Sequence, residues 1–241
     1  MKILILFFAL ISVTRAVTFH CSFAMRTPYT LPSTYACYTA TLSKINETEL
    51  LTAVTGTHMS GRSNADVGYL FIFNVNSLTF FPKGITNFFS NLVAIQINNC
   101  NISTLHDHEL DPFNNLRWFW FSYQPQLERI PGSLFANTPL VQRVHFHRNN
   151  IKHVGKNLLS SLSQLTYAHF AYNYCVNQAA YHSDQIPSLI EHLRNNCTDI
   201  EESLCGDICD LEEQNQILMQ QNLEIKLQGA NLTTQQEDMN E

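Results

Sequence analysis

Three histidines hold the clearest chemical potential in the chain. His145 and His147 are two positions apart, and His169 follows His145 by 24. Imidazole is the side chain that changes charge near neutral pH, and it is the commonest ligand of zinc. His145 and His147 fall on one side of an extended strand. If strands 24 residues apart pair side by side, His169 lies about 4.8 Å from His145. Three imidazoles so placed can hold zinc, or form a pH-sensitive patch, because neighbouring imidazoles resist joint protonation. No carboxylate or thiolate shares these positions and no zinc spacing motif is present, so the expectation is no bound metal and no cofactor.

Other chemistry has less support. There is no G-x-S-x-G elbow and no H-E-x-x-H pair. His106, Asp107, His108 and Glu109 are consecutive and read as a solvated turn. The stretch from Gly56 to Asn64 has glycines at Gly56 and Gly61 but lacks the Gly-Lys-Ser/Thr ending of a phosphate loop. The chain is therefore not expected to be an enzyme.

The elements that must position the histidines are marked by a ladder of apolar residues. It runs Leu92-x-x-Ile95-x-Ile97-x-x-Cys100-x-Ile102, then Leu116-x-x-Phe119-x-Phe121-x-x-Gln124. It continues Val141-x-x-Val144-x-Phe146-x-x-Asn149-x-Ile151 and Leu165-x-x-Ala168-x-Phe170-x-x-Asn173-x-Cys175, with a weaker copy at Val67, Leu70 and Ile72. One copy cannot bury its own apolar side, so neighbours must stack. The pattern resembles the leucine-rich repeat, L-x-x-L-x-L-x-x-N/C-x-L. It implies an α/β solenoid: a parallel sheet on the concave face, a helical or irregular convex side, disulfide caps and a C-terminal helix. The expected organisation is a signal peptide over 1–16, a cysteine-containing cap over 17–60, repeats and a second cap over 61–198, and an acidic coiled-coil-like helix over 199–241.

Strand alternation then places a second set of side chains opposite the ladder. These are Tyr69, Phe71, Phe73, Gln96, Trp118, Trp120, Tyr123, Arg143, His145, His147, Arg148, Tyr167, His169 and Tyr172. Exposed aromatics beside Arg and His have the composition of a recognition surface. The expected ligand is an extracellular protein. An adhesion or matrix role, or a metal-dependent enzyme using the histidines, are the alternatives.

The ends of the chain speak to compartment and assembly. Lys2 precedes an apolar run from Ile3 to Val13, closed by Thr14-Arg15-Ala16, which fits a secretory signal; no later stretch is long enough to span a bilayer. A secreted, extracellular product follows. Cys21 and Cys37 flank one end of the ladder and Cys175 and Cys197 the other, which suggests two capping disulfides, while Cys100 reads as a buried thiol. Sequons stand at Asn46, Asn101, Asn196 and Asn231. Residues 199–241 hold 11 acids and one base, Lys226, and the whole chain has a net charge of −6, so no nucleic-acid footprint is present. Leu204, Leu211, Leu218, Ile225, Leu232 and Met239 recur every seven residues, allowing a homo- or heterodimer through 204–239. Cys205 and Cys209 are four apart on that helix, where an internal bridge is strained, so pairing between chains is expected. The order of parts is similar to that of short leucine-rich immune proteins of insects. That resemblance implies a disulfide-linked, coiled-coil dimer that binds complement-like thioester proteins in innate immunity.

Overall fold

The computed structural model describes residues 17–28, 31–39, 47 and 49–198. The ladder residues set its register. Leu70, Ile95, Phe119, Val144 and Ala168 pair in sequence across five neighbouring parallel strands, and all are fully buried. Residues 24 or 25 apart therefore become spatial neighbours. Ile72, Ile97 and Phe121 form the next buried row.

The strands are β1 (Val17–His20), β2 (Ser22–Arg26), β3 (Thr34–Thr39), β4 (Leu51–Thr55), β5 (Tyr69–Phe73) and β6 (Ala94–Asn98). They continue with β7 (Trp118–Ser122), β8 (Arg129–Ile130), β9 (Arg143–His145), β10 (His153–Val154), β11 (Tyr167–His169) and β12 (Ala179–Ala180). One helix, α1 (Ile186–Cys197), follows. The main sheet has eight strands in the order β12-β11-β9-β7-β6-β5-β3-β2, and two further sheets pair β1 with β4 and β10 with β8.

This architecture corrects the expected leucine-rich-repeat solenoid. The main sheet is mixed: β2 runs antiparallel to β3 at one end, and β12 antiparallel to β11 at the other. Its connections carry no α-helix among the described residues; α1 comes only after the last strand. Regular strands run through the segment expected as a cysteine-containing cap. Val17, Phe19 and Leu51 bury one face of the β1–β4 pair, and Cys21 bonds to Cys37 beside the β2–β3 hairpin. The residues from Leu51 to Thr55 pair with β1, and β3 stands beside β5. The immune-family resemblance falls with the solenoid. Its coiled coil, and Cys205, Cys209, Asn46 and Asn231, lie outside the described residues. The helix α1 buries Ile186, Leu189 and Leu193 against the end of the core and is tied there by Cys175–Cys197.

An amide ladder holds the bend after each strand. Asn149 Nδ2 donates to the Phe121 and Phe146 carbonyls, each at 2.9 Å, and its Oδ1 accepts from Gln124 N at 2.7 Å. Asn173 does the same for Phe146 and Phe170, at 2.8 and 2.9 Å. Gln124 occupies the same rung one strand earlier and reaches Ile97 O and Ser122 O, both at 3.2 Å. Bending the chain leaves peptide groups without ladder partners, and these amides satisfy them. Asn149→Ala removes three such bonds at once. The expected loss is about 2 kcal/mol in urea unfolding. Asn150→Ala, which breaks a solvent-facing contact to Glu128, should cost roughly 0.5 kcal/mol or less.

Candidate metal centre

Strand alternation sends the side chains between the ladder residues to the opposite face of the main sheet. Register then sorts them. His145 and His169 pair directly across β9 and β11, and His147 lies two residues beyond His145 on the same side. One ligating nitrogen from each of the three can be chosen so that all lie within 4.8 Å of one another.

The surroundings fix and dry these rings. Trp120 stacks flat on His145 with centroids 4.3 Å apart and planes 10° apart, and Tyr167 lies on its other side at 4.7 Å. His147 and His169 stack on each other at 4.8 Å. Ser122 Oγ is 2.9 Å from His147 Nδ1, which fixes that ring and leaves Nε2 as its available atom. His145 is 7% exposed, and its Nδ1 is buried without a hydrogen-bond partner among the described residues. A buried nitrogen without a partner is costly.

Burial drives the protonation states. His145 is pushed down to about 3 by burial first, then by His169, His147 and Arg143. His147 falls to about 4, again from burial first, then His169 and Arg148. His169 is also lowered, by burial. All three imidazoles are therefore neutral at neutral pH, with lone pairs free for a metal. A tetrahedral zinc with Zn–N bonds of about 2.1 Å holds its ligands about 3.4 Å apart. The cluster must contract modestly, and the His147–His169 stack must open for both nitrogens to face one ion.

The same face overturns the expected concave recognition surface. Trp118 is 1% exposed, Trp120 8% and Tyr69 5%; with Ala36 and Ala94 they form a second apolar cluster against which Leu31 and Phe71 pack. Strands about 4.8 Å apart cannot keep rings of this size separate. Tyr69, Trp118, Trp120, His145 and Tyr167 instead cover one another. Gln96 is buried and accepts a hydrogen bond from the Tyr69 hydroxyl. Phe71 and Phe73 pack on Tyr38. Arg143 lies over the Tyr167 ring, while Tyr123, Arg148 and Tyr172 form a separate exposed group at the sheet margin. No open leucine-rich-repeat groove remains.

Ser122 sits one strand before His147 at the matching repeat position, on the face where strand alternation places it. One contributor has no mark in the sequence. Tyr181, which touches both Tyr167 and His169, follows the point where the repeat phase ends and carries no such signal. The acidic turn is more structured than expected. His106 N donates to Glu109 at 2.9 Å, Ser133 donates to Asp107, and a cavity of about 300 Å³ lies alongside, between Phe81 and Phe113. Burial raises the Glu109 carboxyl above the usual range. Of the sequons, Asn101 is half-buried and Asn196 exposed. No helix among the described residues is long and apolar enough to cross a membrane, and Tyr123, Tyr172, Tyr174 and Tyr181 are exposed.

No family model matches the chain, and neither does any curated protein.

Depressed histidines make stability depend on pH. In the metal-free protein the unfolded chain takes up protons near 6.5, whereas folded His145 and His147 resist until about 3 and 4. Stability is fully present above pH 6.5 and is lost as pH falls through that window towards the folded values. Melting temperatures of chelator-treated protein should decline on acidification, and His145→Gln should flatten the decline. Parallel curves for the two proteins would contradict this assignment.

Proposed function

We propose that the protein binds a divalent transition-metal ion, of the zinc or copper class, through His145, His147 and His169. The observation that carries this reading is the convergence of three imidazole nitrogens within 4.8 Å. Nitrogen donors of intermediate softness suit zinc, copper and nickel rather than calcium or magnesium. Three neutral ligands leave the ion its full charge and one open position, which water or an anion would fill. Ser122 serves as an outer partner that orients His147, as hydrogen-bonded groups do around metal-ligating imidazoles. The two disulfides support a role outside the cell.

Cobalt(II) provides a direct test, because its visible absorption reports tetrahedral nitrogen ligation. Chelator-stripped protein should take up about one equivalent with a visible band that zinc displaces. His169→Gln should weaken binding by about a hundredfold, and His147→Gln comparably. Ser122→Ala should weaken it by about tenfold. Uptake that is unchanged in His169→Gln would reject the site.

A second reading rests on the exposed tyrosines beyond β11. Tyr174 is 79% exposed and Tyr181 55%, and rigid amphipathic rings of this kind anchor protein interfaces. We propose that an extracellular protein ligand docks there. A photo-crosslinker at Tyr174 should join a specific partner in extracellular fluid, while one at exposed Leu50 should not. Equal labelling from both positions would dismiss the reading.

A further inference from the structure

The second ring cluster stands where three strands turn. Tyr123, Arg148 and Tyr172 each have left-handed backbone, with φ of 58°, 55° and 61°. Such a conformation is uncommon for bulky residues. It lifts these side chains out of the alternation that buries their neighbours. Register then stacks them: the Arg148 guanidinium carbon is 4.6 Å from the centre of the Tyr172 ring and 5.7 Å from that of Tyr123. Tyr172 is 60% exposed and Tyr123 42%. No carboxylate pairs with Arg148 among the described residues.

These three residues line a cleft of about 540 Å³ together with Asn99, Pro125 and Asn150. Its volume is in the range of small-ligand sites, roughly 300–1,000 Å³. Each wall has a distinct capacity. Tyrosine rings cover the guanidinium faces, which leaves its in-plane N–H groups to grip a planar or tetrahedral oxyanion with two bonds. The exposed sides of the rings offer flat apolar surface with a hydroxyl at the edge. Asn99 Nδ2 donates to Asn74 Oδ1 at 2.7 Å, and Asn150 Nδ2 to Glu128 Oε1 at 3.2 Å. The carbonyl oxygens of both amides stay available as acceptors for hydroxyl groups.

We propose that this cleft binds an acidic saccharide: a sugar ring bearing a carboxylate or a sulfate. Arg148 holds the oxyanion, the tyrosine faces take the apolar C–H face of the ring, and the amide oxygens accept its hydroxyls. A bare anion would leave the aromatic and amide walls unused, and a neutral sugar would leave Arg148 unanswered. None of the three imidazoles takes part, so the site stands whether or not a metal binds.

Calorimetric titration of the native protein tests this directly. The probes are digalacturonate for the carboxylate, a sulfated disaccharide for the sulfate, maltose as the neutral control and inorganic sulfate as the bare anion. At least one acidic disaccharide should bind, and the arm that succeeds names the anionic group. Maltose and inorganic sulfate should bind at least about tenfold more weakly. Arg148→Gln should weaken the acidic probe by about tenfold or more, and Arg148→Lys by less, because it keeps the charge but loses the fork. Tyr172→Ala should weaken the disaccharide while leaving inorganic sulfate unchanged. Failure of both acidic disaccharides overturns the proposal, as does equal affinity for inorganic sulfate. Unaltered binding by a folded Arg148→Gln, checked by its melting curve, overturns it as well.

Discussion

Parallel pairing at a constant offset brings residues 24 or 25 positions apart to within about 4.8 Å of each other, strand after strand. A residue type placed at one phase of the sequence therefore meets its counterpart in the next strand. Apolar residues at that phase make a continuous core, as in the row from Leu70 to Ala168. Amides make a hydrogen-bonded ladder through Gln124, Asn149 and Asn173. Imidazoles make a cluster at His145 and His169, and an arginine between two tyrosines makes a cationic stack. The same offset generates each of these, and only the chemistry of the repeated side chain differs.

The offset does not decide how wet a face becomes. Size does. Where the repeated side chains are large, as at Trp118 and Trp120, neighbours touch before water can separate them, and the face turns into a second dry layer. That dryness explains the low affinity of the histidines for protons, since an imidazolium there loses hydration without gaining a counter-charge. The cationic flanks Arg143 and Arg148 press in the same direction. Desolvation and repulsion both favour neutral rings, which is the state a metal requires.

Much of this order is visible in the sequence, but unevenly. The phase of the ladder from Leu92 to Cys175 shows because apolar spacing records which residues share a side, and that reading carried over to the pairing of the parallel strands. The histidine cluster is legible for the same reason. What the spacing cannot show is the company a strand keeps at its edges. Pro, Thr and Tyr between Val17 and Thr39 conceal three strands, and the antiparallel partners β2 and β12 break the expectation of a uniform solenoid. Exposure is hidden for a related reason: alternation names the side on which Trp118 lies, whereas its burial depends on the sizes of residues in neighbouring strands. The left-handed corners recur at Asn74, Asn99, Tyr123, Arg148 and Tyr172, and only the two asparagines are of a type that favours this backbone, so the sequence marks the first two corners and not the last three.

Those corners separate two chemistries that the register would otherwise merge. His147 and Arg148 are adjacent in sequence, yet one is buried among imidazoles and the other stands exposed between tyrosines. The left-handed turn at Arg148 is what parts them. Had the strand continued, Arg148 would have pointed towards the core behind the ladder, where an unpaired cation is untenable. The turn resolves that conflict, and Tyr123 remains as the joint between the two clusters: its ring lies 5.4 Å from that of His147 and 5.7 Å from the Arg148 guanidinium. A dry neutral cluster and a solvated cationic cleft can thus share one strand end, because a single change of backbone hand lets size and charge be settled separately on either side of it.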